Sequence, residues 1–376
     1  MRQIIHFIKK EFLQFKRDPK MFGIILVAPV IQLIFLGYAA NLDVDNVKMI
    51  VLDHNKTSTS REFIERFTSS GYFSINEYAN NYDDITNSLD DGNAIVALVI
   101  HDNFEEKIRR KETASVQAIF DGSDGNSASI ASGYMRSVIM SYSKNILTQI
   151  MQRSGRLIKP VGSIEAQVRV WYNPTLKTRN FMVPGIVGLL LSIITMLLTS
   201  LAVVKEKEIG TMEQLIVTPL KPYHIIVGKL IPFVILGFAA VIIVLTAMTL
   251  IFNIPVKGSI TFLFVSSFLY ILSTLGLGLL VSTISKNQQQ AMMIAIFAVM
   301  MPMVFLAGFA FPVENMPGTL QYISYIIPLK YFFVIIRGVI LKGLGFADLW
   351  FEALLLLIMG VSILILSAAR FNKKLE

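Results

Sequence analysis

The chain of 376 residues is 54% hydrophobic and only 16% charged, where a soluble domain carries about 25% charged residues, so an ordinary soluble globule is excluded. Its net charge of +8 gathers into no basic patch interleaved with aromatics, the footprint of a nucleic-acid binder. There is no cysteine, so disulfides hold no part of the fold.

The first 20 residues put Ile4, Ile5, Ile8, Phe12 and Phe15 on one helical face, with Lys9, Lys10, Lys16 and Arg17 largely opposite. That pattern predicts an interfacial amphipathic helix over residues 1–20. An apolar run at 21–40 follows and is long enough to cross a hydrocarbon core of about 30 Å. Tyr38-Ala39-Ala40 loosely resembles a cleavage site, but the leader and the apolar run are both too long for a secretory signal, so the segment is read as an uncleaved anchor.

From 41 to 180 the periodicity changes. Strand-like VKMIVLD (47–53), GYFSINEY (71–78), NAIVALVI (93–100) and SVQAIFD (115–121) alternate with helical stretches near 57–69, 82–90 and 103–111. Such alternation predicts an α/β domain. A long helix over 126–152, capped by Asp124 or Asn126, precedes a last strand at 166–173. The run DGSDGN at 121–126 has the composition of a calcium loop, yet it misses the D-x-[DN]-x-[DN]-G spacing and has Ser132 where a bidentate Glu is required. It reads as a turn and helix cap. His6, His54, His101 and His224 show no metal-ligand spacing, and neither G-x-S-x-G nor H-E-x-x-H occurs, so no catalytic residue and no metal site is assigned.

Further spans are expected at 181–204, 225–252, 259–284, 290–311 and 349–369, six in all with the first. Residues 41–180 hold 16 Lys and Arg against 17 Asp and Glu, so the positive excess belongs to the membrane half. It clusters before the first span, at Lys205, Lys207 and Lys221, at Lys286, and at Arg370, Lys373 and Lys374. By the positive-inside rule those ends are cytoplasmic, which puts both termini inside and residues 41–180 outside. Residues 319–341 are apolar as well, but they contain Pro328, Lys330 and Arg337. Two cations at mid-membrane would cost about 5–7 kcal/mol, and a seventh span would turn the basic C-terminus outward. A re-entrant or outer helix pair over 312–345 is expected instead. Pro184 and Pro302 are expected to kink their spans. The Met and Phe residues of spans five and six would suit an adaptable apolar cavity, but most of them read as ordinary lipid-facing or helix-packing positions.

Between spans two and three lies EKEIGTMEQLIVTPLKPYH (206–224). Its charges would cost about 2.5–3.5 kcal/mol each in hydrocarbon, so the segment emerges into the cytoplasm. Ile209, Met212, Leu215, Ile216 and Leu220 recur at helical spacing, and Pro219 stops the pattern. The expectation is a short amphipathic helix at 205–220. Periodicity leaves open whether it lies on lipid or docks on a protein.

The stretch EKEIGTMEQLIVTPLKPYHIIVGK (206–229) resembles the signature of type-2 ABC exporter permeases, the ABC-2 type. The resemblance extends along nearly the whole chain, and FPVENMPGTLQYISYIIPLKYFFVIIRG (311–338) is similar to the family's outer helix pair before the last span. The fold it implies is an α-helical polytopic membrane protein: interfacial helix, six transmembrane helices, an α/β extracytoplasmic domain (41–180) between spans 1 and 2, and spans 2–6 within 181–376. It also implies that the 205–220 segment is the coupling helix, which docks on an ATPase. Glu206, Glu208 and Glu213 are then placed for polar contact, Ile209, Met212 and Leu215 for the apolar docking face, Gly210 for close approach and Pro219 for the end of the lever; Thr211 and Thr218 also match the pattern.

No G-x-x-x-x-G-K-[ST] loop occurs; Gly228-Lys229 is followed by Leu230 and has Tyr223 where the first glycine belongs. The expected chain therefore binds no cofactor, and ATP and Mg belong to separate ATP-binding subunits. A second permease copy, identical or different, completes the pair; a periplasmic adaptor is a further expected partner and nucleic acid is not. The expectation is a permease in the bacterial inner membrane that exports a drug, lipid or other amphiphile, with no substrate residue named. The alternatives are an ATP-independent secondary transporter or ion exporter, or a membrane-anchored ligand-binding receptor. Span interiors nearly free of charge argue against the former, and a receptor rarely needs six spans.

Overall fold

The computed structural model describes residues 8–10, 12–13, 23–40, 44, 46–153, 171–173, 177–210 and 222–372. The chain divides into two compact units, residues 42–168 and the remainder.

In the smaller unit, strands β1 (Val47–Asp53), β2 (Phe73–Tyr78), β3 (Val96–Ile100) and β4 (Val116–Phe120) form one sheet in the order β2-β1-β3-β4. β1 runs parallel to β2 and β3, and β4 closes the edge antiparallel to β3. Parallel strands need crossover helices, and covering both faces demands strands that are apolar on both sides. The sequence meets that demand. Val47, Met49 and Val51 of β1 pack on one side with Phe63 and Phe67 of helix α2 (Ser58–Ser69), whereas Ile50 and Leu52 pack on the other with Ile85 of α3 (Tyr82–Asp90). A short α4 (Phe104–Arg109) and the long α5 (Gly125–Arg153) add Phe104, Met135 and Tyr142 to the first side.

Helix starts are set by caps. Thr57 forms a capping box with Ser60, and the Asn81 side chain accepts from the Asp84 amide, each a satisfied first-turn donor. At DGSDGN, Asp121 accepts from the Ser123 amide (2.9 Å), and Asp124 accepts from the Asn126 amide (3.0 Å) and the Ser127 hydroxyl (2.5 Å). Hydrogen bonds from Ser123 and Ser127 hold the two carboxyls below the usual aspartate value. Both groups serve the turn and the start of α5. The strand expected at 166–173 lies mostly outside the described residues.

The larger unit is helical: α1 (a π turn Gly23–Val27 continuing into Ala28–Ala39), α6 (Thr178–Glu208), α7 (Pro222–Phe252), α8 (Ile260–Ile284), α9 (Gln288–Met293, a π stretch Ile294–Met300, then Met301–Leu306), α10 (Gly318–Ser324), α11 (Pro328–Arg337, extended by a π turn Gly338–Lys342) and α12 (Phe346–Asn372). Among the described residues, five helices are long and apolar enough to cross a membrane. The count is six if α10 and α11, bent by 80° to each other, form one span. α1 is shorter. Pro302 is the second residue beyond the π stretch of α9, and Pro184 and Pro232 lie inside α6 and α7.

The bundle is organised around α8, which packs on α6 and α12. Lipid tails are as apolar as leucine, so close approach and hydrogen bonds between helices, more than hydrophobicity, determine which faces meet. Gly278 lies against Met196 of α6, and Gly276 against Ile363 and Leu364 of α12. Thr195 and Thr274 share a hydrogen bond of 2.7 Å, Ser192 bonds the Tyr270 hydroxyl, and Ser367 donates to the Gly276 carbonyl at 2.8 Å. The Tyr270 ring in turn stacks on Phe332 of α11, with centroids 4.3 Å apart.

Candidate functional site

The last turn of α6 reads Lys205-Glu206-Lys207-Glu208. Successive side chains on a helix diverge by about 100°, so four consecutive long polar residues reach different neighbours. Lysines suit a helix C-terminus, where the macrodipole is negative, and glutamates there need compensation. Each glutamate has it.

Glu206 turns inward, its side chain only 12% exposed, and its carboxylate is paired with Lys229 of α7 and with Lys10, whose Nζ lies 2.9 Å away. Lys229 is more deeply buried still, at 4%. It is the only charged residue from Ile225 to Phe252. A buried ammonium without a carboxylate would be prohibitively costly, so this lysine and Glu206 place α6 and α7 in register with each other. Lys10 adds the N-terminal segment, of which residues 8–10 and 12–13 are helical. Lys207 donates to the Ser282 carbonyl, one of the C-terminal carbonyls of α8 that has no helical partner. Glu208 accepts at 2.6 Å from Gln288, in the first turn of α9. One helix end is thus fastened to four other segments.

Immediately beyond, Ile209 is 63% exposed and Gly210 adopts φ of 78°. That is the left-handed conformation in which helices end and which a Cβ disfavours. Among the described residues no atom lies within 4 Å of where a Gly210 Cβ would be, and the glycine serves the backbone turn at the helix end. The boundaries shift accordingly. Residues 205–208 belong to the long helix of the second span, and Ile209 is separated by the Gly210 break from the apolar stripe expected to continue through Met212 and Leu215. Thr211, Met212, Glu213, Leu215, Thr218 and Pro219 lie outside the described residues.

The structure therefore gathers Glu206, Glu208, Ile209 and Gly210 at the root of the connector that joins α6 to α7. Ser282 and Gln288 were not singled out in the sequence; Lys10 was placed only on the polar face of the N-terminal helix, and Lys229 only within the family-like stretch 206–229, although a lone charge in an apolar helix announces a partner. Among the described residues no three acidic, His or Cys side chains are grouped to hold a metal, and no acid–base constellation accompanies the clamp. What this arrangement does is structural: it ties α6, α7 and the N-terminal segment together beside the root of the connector.

The family model described as ABC-2 family transporter protein matches residues 19–369. The probable multidrug ABC transporter permease YbhR of Escherichia coli (strain K12) is 33% identical over 367 residues, covering 98% of this chain and 97% of its own. YbhS of the same organism, also named a probable multidrug ABC transporter permease, is 32% identical over 363 residues, 96% of this chain and 92% of its own. The inner membrane transport permease YhhJ is 27% identical over 299 residues, 77% and 76% of the two chains.

Proposed function

Since the chain belongs to the ABC-2 family of transporter proteins and is a multi-pass permease subunit of an ABC exporter without an ATPase site of its own, we propose that the connector 209–221 is its lever and the Glu206–Lys229–Lys10 cluster the fixed root of that lever. The reading rests on one observation: the two helices that flank the connector are joined by a buried ion pair close to it, between Glu206 in the last turn of α6 and Lys229 about two turns into α7. Separate ATP-binding subunits close on ATP and press on the connector, and differential contact in the two states carries the coupling energy. Glu206 is the positioning residue. Glu208, Glu213 and the apolar side chains Ile209, Met212 and Leu215 meet the ATPase, with Gly210, Thr211, Thr218 and Pro219 shaping the lever.

The six spans are α1, α6, α7, α8, α9 and α12, with α10 and α11 re-entering from the outer side. The 80° bend between α10 and α11 and the two cations Lys330 and Arg337 support that assignment. Both termini and the clamp then face the cytoplasm, and residues 42–168 stand outside the inner membrane as an α/β domain. A second permease copy, identical or different, forms the other half of the path, and the outer domain is the place for a periplasmic adaptor. Because YbhR and YbhS are named multidrug permeases, the cargo is a drug, lipid or other amphiphile.

A charge exchange tests the root of the lever. Glu206→Lys and Lys229→Glu, each alone, are expected to abolish most permease-dependent stimulation of ATP hydrolysis in proteoliposomes while the ATP-binding subunit still co-purifies. The double exchange should restore it. Singles that hydrolyse and export like the parent would overturn the assignment. Replacing Glu208 and Glu213 by alanine tests the docking face, and Glu213→Ala alone does so with the Gln288–Glu208 contact intact; loss of stimulation in a correctly inserted protein is the expected result of each.

A further inference from the structure

At the opposite end of α6 from Glu206, about 37 Å away at 1.5 Å per residue, a cavity of about 720 Å³ opens between the start of α6, the loop after α9, and helices α10 and α11. Its wall is mixed: Phe181, Phe309 and Phe333 supply apolar surface, while Lys330, Arg337 and Lys342 outnumber the one carboxylate, Glu314. Lys330 already has neighbours, the Ser324 hydroxyl at 2.9 Å and the Tyr325 ring at 3.6 Å.

Arg337 is different. One terminal nitrogen donates to the Gly308 carbonyl at 3.2 Å, and the Phe181 ring covers the guanidinium face at 3.7 Å. Its Nε and Nη2 are buried with no hydrogen-bond partner. These two nitrogens share one edge of the guanidinium, the edge that binds two oxygens of a carboxylate or phosphate side by side. No carboxylate pairs with Arg337 among the described residues. Space is kept for it, because a Cβ on Gly185 would come within 3.1 Å of Nη2. A buried cation with two idle donors is expensive, and one beside an apolar cavity fits an anion that carries a tail.

We propose that this cavity receives the anionic headgroup of an amphiphile, a phosphate, sulfate or carboxylate on a hydrocarbon chain, with Arg337 as its counter-ion, Lys330 as a second cation and the phenylalanines against the tail. The Phe181 ring covers the guanidinium and moves aside to admit the headgroup. The inference rests on the export reading for its direction of travel, not for its binding chemistry. The headgroup could belong to exported cargo or to a resident lipid of the outer leaflet.

The test uses the full permease co-purified with its ATP-binding subunit in phosphatidylcholine nanodiscs. Binding of radiolabelled dodecyl phosphate and of dodecyltrimethylammonium is measured alongside ATP hydrolysis. Dodecyl phosphate should bind the parent at least ten-fold more tightly than the cation. Arg337→Gln should remove that preference about ten-fold without weakening the cation, Arg337→Lys should retain part of it, and Lys330→Gln should lose several-fold. Should Arg337→Gln fail to assemble, the Lys330→Gln and Arg337→Lys variants carry the test. Doping the discs with phosphatidylglycerol separates the sources: a lipid that displaces dodecyl phosphate without stimulating hydrolysis marks a resident site, and stimulation by dodecyl phosphate marks cargo. Equal binding of both probes by the parent, or an undiminished preference in a folded Arg337→Gln protein, overturns the proposal. If no amphiphile of either charge stimulates hydrolysis, the export reading fails while the binding comparison still stands.

Discussion

The two ends of α6 handle charge in opposite ways. At Glu206 the buried carboxylate faces two ammonium groups, and the neighbouring polar side chains of that turn reach the ends of other helices. At Phe181 the adjacent guanidinium has one carbonyl, one aromatic face and two donors with nothing to meet. A satisfied cluster resists displacement and passes a push on to whatever it joins; an unsatisfied one binds what arrives. The proposed root of the lever and the proposed anion site thus lie at opposite ends of one helix, separated by more than the thickness of a hydrocarbon core.

This contrast can be broken most forcefully at Lys229. Lys229→Met removes the buried partner of the Glu206 carboxylate, and the loss of one partner from a buried pair costs about 3–5 kcal/mol. The expected result is a lower thermal unfolding midpoint of the detergent-solubilised protein and loss of permease-dependent ATPase stimulation. A midpoint equal to the parent's would mean that the cluster does not tie the helices together. A smaller effect is expected at the proposed anion site. Gly185→Ala brings a methyl group within 3.0 Å of Phe309 and 3.1 Å of Arg337, and such overpacking costs about 1–3 kcal/mol. It should also shift the guanidinium, so dodecyl phosphate binding should fall more than the unfolding midpoint does. Least is expected from Lys10→Ala. With a side chain 39% exposed, Lys10 belongs with surface pairs worth about 0–1 kcal/mol. That variant should leave unfolding almost unchanged and lower stimulation slightly, and a loss as large as that of Lys229→Met would show that the N-terminal segment is a principal part of the lever.

Much of the fold could be read in advance where local pattern and burial agree. VKMIVLD is a strand with apolar residues on both faces because its sheet is covered on both sides, and β1 occupies the expected residues. Long apolar helices follow from length alone, which is why α7 and α8 nearly coincide with the expected spans. The helix that holds the second expected span runs past it at both ends, since a hydropathy window ends at the first charges whereas the helix continues until Gly210 allows the backbone to turn. The candidate site was only half legible. Its glutamates stand in a recognisable motif, but their partners Lys10 and Gln288 lie 196 and 80 residues away in sequence from the groups they meet.

Residue by residue, the amino-acid order determined which stretches are apolar enough to leave water, which residues can cap or break a helix, and that a lone lysine in the third long helix must find a carboxylate. Those are local matters of transfer free energy and backbone geometry. Only the packed helices decided which carboxylate that would be, that α8 would become the centre of the bundle through Gly276 and Gly278, and that Arg337 would keep two donors idle beside a cavity. Such outcomes depend on close approach between segments distant along the chain, and no local pattern encodes which surfaces will be left facing each other.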